Sequence, residues 1–168
     1  ANRGEIARRV IRTCKRLGIK TVAVYSEADQ DAPHVTEADE AVLLGPAPAK
    51  DSYLNVEAVL AAIDRTKATA VHPGYGFLSE KSSFAREVIA RGVTFIGPSP
   101  DVLDAFGDKM KARHVAEAAG TAPVPGSREP LPIETPEELA AARALADRIG
   151  YPIVVKAVGG GGGIGMQI

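Results

Sequence analysis

The sequence predicts an α/β fold built on a parallel sheet, with the start of a second domain behind it. Three observations carry this. Short β-branched apolar runs alternate with segments of helical period up to Pro100. Gly45-Pro46, Pro73-Gly74 and Gly97-Pro98 stop three of those runs where strands should end. Beyond Pro100 the alternation gives way to long helical stretches, a proline-rich connection and a run of five glycines.

In order, Ile6, Val10, Ile11, Cys14 and Leu17 share one face at helical spacing, and Gly18 ends that run. Thr21–Tyr25 is short, apolar and β-branched, as a buried parallel strand should be. Ala41–Leu44 is the second strand. Ser52 is placed to cap a helix carrying Leu54, Val56, Val59, Leu60 and Ile63. Thr69–His72 is a third strand, Ser79–Ala90 a helix with Phe84, Val88 and Ile89 inward, and Val93–Ile96 a fourth strand. Asp101–Gly120 is mostly helical. The stretch from Ala122 to Pro132 holds four of the chain's 12 prolines and reads as a connection. Thr135 caps a helix from Pro136 to Ile149, with proline at its first position and Glu137-Glu138 in its first turn. Tyr151–Ala157 is a strand, and Met166-Gln167-Ile168 opens another. The domain division falls at 1–106 and 107–168. A helix opening at Gly4 normally follows a strand, and the first residue is not Met, so the chain reads as a piece of a longer protein.

Hydrophobic residues at 45% and charged residues at 24% are the balance of an ordinary globular domain. A net charge of −1 gives no electrostatic reason to expect nucleic acid or an anionic membrane as partner. No apolar run reaches the ~18 residues of a membrane span. One cysteine, Cys14, can form no internal disulfide, which favours a reducing compartment. Cys14 is expected in the core, His34 and His114 at the surface, and no His/Cys/Asp cluster has metal-ligand spacing.

Four segments carry chemistry. Lys156-Ala157-Val158 followed by Gly159–Gly163 combines a strand-end cation with backbone that can approach an anion closely, there being no Cβ in the way. The P-loop pattern is excluded because no Gly-Lys pair occurs. Gly160, Gly162 and Gly165 fit a dinucleotide fingerprint, but that needs a helix next, whereas Met166-Gln167-Ile168 is extended in character. Strand, glycine turn, strand remains: a hairpin able to close over a nucleotide, against the plainer alternative of a linker. His72–Glu80 lies at the carboxyl end of a strand, where open α/β sheets collect ligands, and Tyr75 and Phe77 supply flat contact area. A tight turn packed into the core explains it equally well. Gly107-Asp108-Lys109 precedes a helix, where Lys109 alone reads as a solvated lysine. Ala1–Glu5 is a glycine turn at a helix start, able to receive an anion or merely to turn the chain.

Taken together, Asn2–Ala7, Gly45–Pro48, Ser52–Asn55, His72–Glu80, Phe95–Pro98, Gly107–Lys109 and Lys156–Gly163 resemble, in order and spacing, the motifs of the biotin carboxylase family. The resemblance covers the whole chain, and the block His72–Glu80 is its most specific part. It implies a Rossmann-like parallel-sheet N-terminal (pre-ATP-grasp) domain, then the start of an ATP-grasp domain with a glycine-rich flap. By the same resemblance Lys109 and Lys156 contact ATP, Gly161, Gly162 and Gly163 are flap backbone donors, and Met166 lies near the base. Tyr75 and Gly76 border the biotin site. The family commonly has Gly-Arg-Gly-Met-Arg where this chain has Gly163-Ile164-Gly165-Met166-Gln167, so two basic residues are replaced.

The implied reaction is ATP-dependent carboxylation of biotin on a carrier domain, with bicarbonate, Mg²⁺ (or Mn²⁺) and carboxyphosphate as intermediate. The implied partners are the biotin carboxyl carrier domain and a carboxyltransferase subunit or domain, in a homo-oligomer or larger complex. An acyl-CoA carboxylase is expected, with a pyruvate carboxylase or a non-catalytic nucleotide-binding module as alternatives. The expected compartment is the cytoplasm, or the mitochondrial matrix in a eukaryote. Metal, bicarbonate and catalytic arginine positions of the family fall after Ile168, so residues 1–168 are expected to be inactive alone. A dinucleotide-dependent dehydrogenase shares the α/β pattern but is disfavoured, since Gly4 stands alone in the first turn.

Overall fold

The computed structural model describes residues 1–157 and 166–168, which fall into two units, Ala1–Asp104 and Ala105–Ile168. In the first unit, α1 (Gly4–Arg16) leads to β1 (Val22–Ser26), a short α2 (Pro33–Glu37) and β2 (Glu40–Gly45). Then come α3 (Val56–Thr66), β3 (Ala70–Val71), α4 (Ser82–Ala90) and β4 (Thr94–Phe95). β1 pairs with β2 in parallel, Val24 opposite Val42, and β3 pairs with β4 in parallel, Val71 opposite Phe95. Parallel pairing needs a crossover, and α2 and α4 lie between the paired strands as such crossovers do. The α/β, parallel-strand expectation holds.

The core gathers Val24, Val42 and Leu44 from the strands, Val59, Leu60 and Ile63 from α3, and Phe84 and Val88 from α4. Phe84 meets Phe95 edge to face, ring centroids 6.1 Å apart. Fully burying side chains such as Leu60 and Phe84 is worth roughly 1.5–3 kcal/mol each, so these two helices hold the two strand pairs in one core.

The second unit contains α6 (Lys109–Ala118), which follows α5 (Pro100–Gly107), then α7 (Pro136–Ile149) and the strands β5 (Val155–Lys156) and β6 (Met166–Gln167). β5 and β6 run antiparallel, Val155 opposite Gln167 and Lys156 opposite Met166. Thr135 and Glu138 form a capping box at the start of α7: Glu138 N–H donates to Thr135 Oγ1 at 3.2 Å and Thr135 N–H to Glu138 Oε2 at 3.0 Å.

Several local expectations are corrected. The cap of α3 is Asn55, whose Oδ1 accepts from Ala58 N–H at 3.1 Å; Ser52 is buried and donates to Pro48 O instead. His34 is fully buried, its Nε2 3.3 Å from Val24 O, and burial lowers its pKa. Cys14 is half-buried, and Leu17 and Ile89 are exposed. Ala85 takes the inward place given to Ile89. No helix among the described residues is long and apolar enough to cross a membrane.

Candidate functional site

In the first unit the candidate loop is His72–Glu80, which leaves β3 and is moulded on the opening of α1. Asn2, 4% exposed, directs both hydrogens of its carboxamide to the loop: Nδ2 donates to Pro73 O at 2.8 Å and Tyr75 O at 2.9 Å. Its Oδ1 accepts from Arg3 N–H at 2.9 Å, so the group is held from both ends. Gly74 has φ +67°, and a Cβ there would lie 2.7 Å from Asn2 Nδ2 and 2.6 Å from Ile6 Cγ2. Only glycine allows this approach. Tyr75 is largely exposed, its hydroxyl donating to Glu5 Oε1 at 2.6 Å, and Gly76 next to it is open to solvent.

Beneath the loop, Phe77 stacks on Tyr53 with ring centroids 5.1 Å apart, and the Arg3 guanidinium lies over both rings at 5.4 and 5.5 Å. Tyr53 is buried; its hydroxyl donates to Asp29 Oδ2 at 2.7 Å and accepts from Ser26 N–H at 3.1 Å. Burial, reinforced by the bond to Asp29, pushes the Tyr53 phenol up to about 12. Burial alone raises Asp29, but hydrogen bonds from Tyr53 and Ser26, with Arg3 at 3.4 Å, outweigh it and hold the carboxyl below its usual value. Sequence reasoning missed Ser26 and Asp29, and gave Tyr53 no role beyond its place in the Ser52–Asn55 motif. They announce themselves only as scattered polar residues at strand and loop ends.

In the second unit Asp108 caps α6, its Oδ1 accepting from Met110 N–H at 2.8 Å and Lys111 N–H at 3.0 Å. This places Lys109 on the first turn of α6, from where Nζ donates to Ala157 O at 3.2 Å. Ala157 follows β5, so this cation stands where the chain leaves that strand. Lys156 is exposed on β5 directly opposite Met166, and opposed residues of an antiparallel ladder share a face. Lys156 and Met166 thus share a face of the β5–β6 pair, and Lys109 reaches the main chain at the end of β5. Such a donor set, two ammonium groups and an apolar side chain, suits a phosphate-bearing ligand with a flat base. Gly161, Gly162, Gly163 and Ile164 lie outside the described residues. Among the described residues, no group of three or more His, Cys, Asp or Glu is placed to hold a metal ion.

Comparison with known proteins places these features. Residues 1–103 match the family model described as "Biotin carboxylase, N-terminal domain", and residues 108–168 match "Carbamoyl-phosphate synthase L chain, ATP binding domain". The chain is 52% identical over 168 residues to the biotin carboxylase of Pseudomonas aeruginosa, covering all of this chain and 36% of that protein. It is also 52% identical to the human mitochondrial propionyl-CoA carboxylase alpha chain, of which it covers 22%. Among solved structures, the Campylobacter jejuni biotin carboxylase crystallised as a β,γ-ATP complex is 44% identical with a TM-score of 0.88, covering 99% of this chain and 36% of that one. The biotin carboxylase domain dimer of Hydrogenobacter thermophilus 2-oxoglutarate carboxylase, crystallised with ADP, MgADP and bicarbonate, is 47% identical with a TM-score of 0.87, covering 99% and 35% respectively. The chain therefore spans about a third of the length of the separate biotin carboxylases it matches.

Proposed function

The chain belongs to the biotin carboxylase family, and from that premise we propose that the protein carrying it carboxylates biotin on a carrier domain at the expense of ATP. The identity of 52% across all 168 residues supports this reading more than any other observation. In the proposed division, residues 1–106 form the Rossmann-like domain and 107–168 the beginning of the ATP-grasp domain.

A bicarbonate oxygen attacks the γ-phosphorus of ATP, the bond to the β-phosphate breaks, and carboxyphosphate and ADP result. The carboxyl group then passes to a ring nitrogen of biotin, which gives up its proton as phosphate departs. Phosphoryl transfer depends on positioning and on neutralising charge. Lys109 and Lys156 supply positive charge at the hairpin, Gly161, Gly162 and Gly163 supply backbone N–H groups, and Met166 packs on the base. Tyr75 and Gly76 border biotin. Divalent magnesium, when bound, neutralises the phosphates, through ligands supplied elsewhere in the longer protein.

The partners in this reading are the biotin carboxyl carrier domain and a carboxyltransferase that selects an acyl-CoA, within an oligomer. The setting is the cytoplasm of a bacterium or the mitochondrial matrix of a eukaryote. The test is phosphate release from MgATP by the full-length protein. Release that requires both bicarbonate and free biotin is expected. Nucleotide binding without such release would leave a non-catalytic nucleotide-binding module as the better reading. Residues 1–168 alone should release none, because they span only 36% of the separate enzymes they resemble.

A further inference from the structure

We propose that Asn2 and Glu5, at the opening of α1, are positioning residues that set the Tyr75–Gly76 edge of the biotin site; this rests on the reading that the loop borders biotin. Asn2 acts on the backbone. Its carboxamide spends both N–H groups on Pro73 O and Tyr75 O, which no carboxylate or hydroxyl of that size can do. The Tyr75 carbonyl and the Gly76 N–H belong to one planar peptide group. Holding the Tyr75 oxygen toward Asn2 at 2.9 Å therefore turns the Gly76 N–H the opposite way, toward the exposed side of the loop. Glu5 acts on the side chain, since its 2.6 Å bond to the Tyr75 hydroxyl fixes the swing of an otherwise exposed ring.

The bonds from Asn2 reach across 71 and 73 positions of sequence and the bond to Glu5 across 70, yet Asn2 and Glu5 stand close together on either side of Gly4. Gly4 has φ +57°, and that turn lets Asn2 and Glu5, three positions apart, face the same loop. Arg3, between them, lies over Phe77 and secures the loop's far end. The residues that touch biotin in this reading are thus held by residues that do not.

The experiment uses the full-length enzyme with free biotin as substrate and compares wild type with Asn2→Asp and Glu5→Ala. Asn2→Asp keeps the shape and replaces the N–H donors by oxygens facing two carbonyls. The KM for free biotin should rise roughly tenfold while the KM for ATP stays within about twofold. A role in stability alone would lower the melting temperature and the active fraction, reducing kcat while leaving the biotin KM where it was; that result overturns the proposal. If Asn2→Asp does not fold, Glu5→Ala carries the test, because Glu5 is exposed and, among the described residues, its side chain is tied to the Tyr75 hydroxyl and weakly to Arg9. It should raise the biotin KM about two- to threefold without affecting ATP, and an unchanged biotin KM overturns the proposal. Wild-type enzyme lacking any biotin-dependent phosphate release fails the proposed activity itself, and the positioning role with it. Active wild type with unresponsive variants fails the positioning role alone.

Discussion

Tyr53→Phe isolates one buried hydroxyl. The phenyl ring keeps its stack on Phe77 and its place in the core, so no cavity opens. What disappears is a 2.7 Å donation to the Asp29 carboxylate and a 3.1 Å acceptance from Ser26 N–H. A hydrogen bond to a charged group contributes about 1.5–3 kcal/mol, and a buried N–H that loses its acceptor adds to the loss. More complete burial of the phenyl offsets a fraction of this. The expected net loss is about 2 kcal/mol, or roughly 4–8 °C in Tm for a chain of this size, measured by urea and thermal unfolding followed by circular dichroism. The loss should also depend on pH. Asp29 has a folded pKa below its unfolded value, so its contribution is present above the unfolded value near pH ~4 and disappears as pH falls through the folded one. The gap between wild type and Tyr53→Phe should therefore be full at neutral pH and shrink below about pH 4. A gap under ~0.5 kcal/mol, or one that does not change as the solution is acidified, would refute the network as drawn.

Lys156→Gln should raise the KM for ATP of the full-length enzyme about ten- to a hundredfold, since a charge-assisted contact is worth roughly 1.5–3 kcal/mol. Its melting temperature should be almost unchanged, because Lys156 is exposed on β5; an unchanged KM removes it from the site. Gly74→Ala should destabilise by about 2 kcal/mol or more, through positive φ and a Cβ driven against Asn2 and Ile6. Wild-type stability for this variant, read in a urea titration, would show that the loop stands off from Asn2.

Periodicity made the helices and parallel strands legible, since apolar spacing in Val56–Ile63 and Phe84–Val88 follows directly from the face each helix buries. Boundaries were less legible because neighbouring residues compete for one role. Ser52 and Asn55 are both good caps, and the contest is decided by Tyr53, whose burial draws Ser52 inward and leaves the next polar residue to start α3. His34 reads as polar, yet lies in the core against Val24 O; nothing local distinguishes it from a surface histidine. The loop residues Tyr75 and Gly76 and the cations Lys109 and Lys156 were proposed through motif resemblance. The supports under the loop were given no role, although Arg3 and Tyr53 lie inside two of those motifs, because they and Asp29 meet only through contacts between distant parts of the chain.

The link from Asn2 to Pro73 also imposes an order on folding. Closing a loop of 71 residues costs roughly 2 kcal/mol more entropy than closing one of ten, so this bond should form late, after α3 and α4 have brought β3 into place. During synthesis Asn2 is made 71 and 73 residues before the two carbonyls it holds, those of Pro73 and Tyr75. Mutations that slow assembly of β3 and β4 should therefore expose the N-terminal segment to proteases before any other part of this unit.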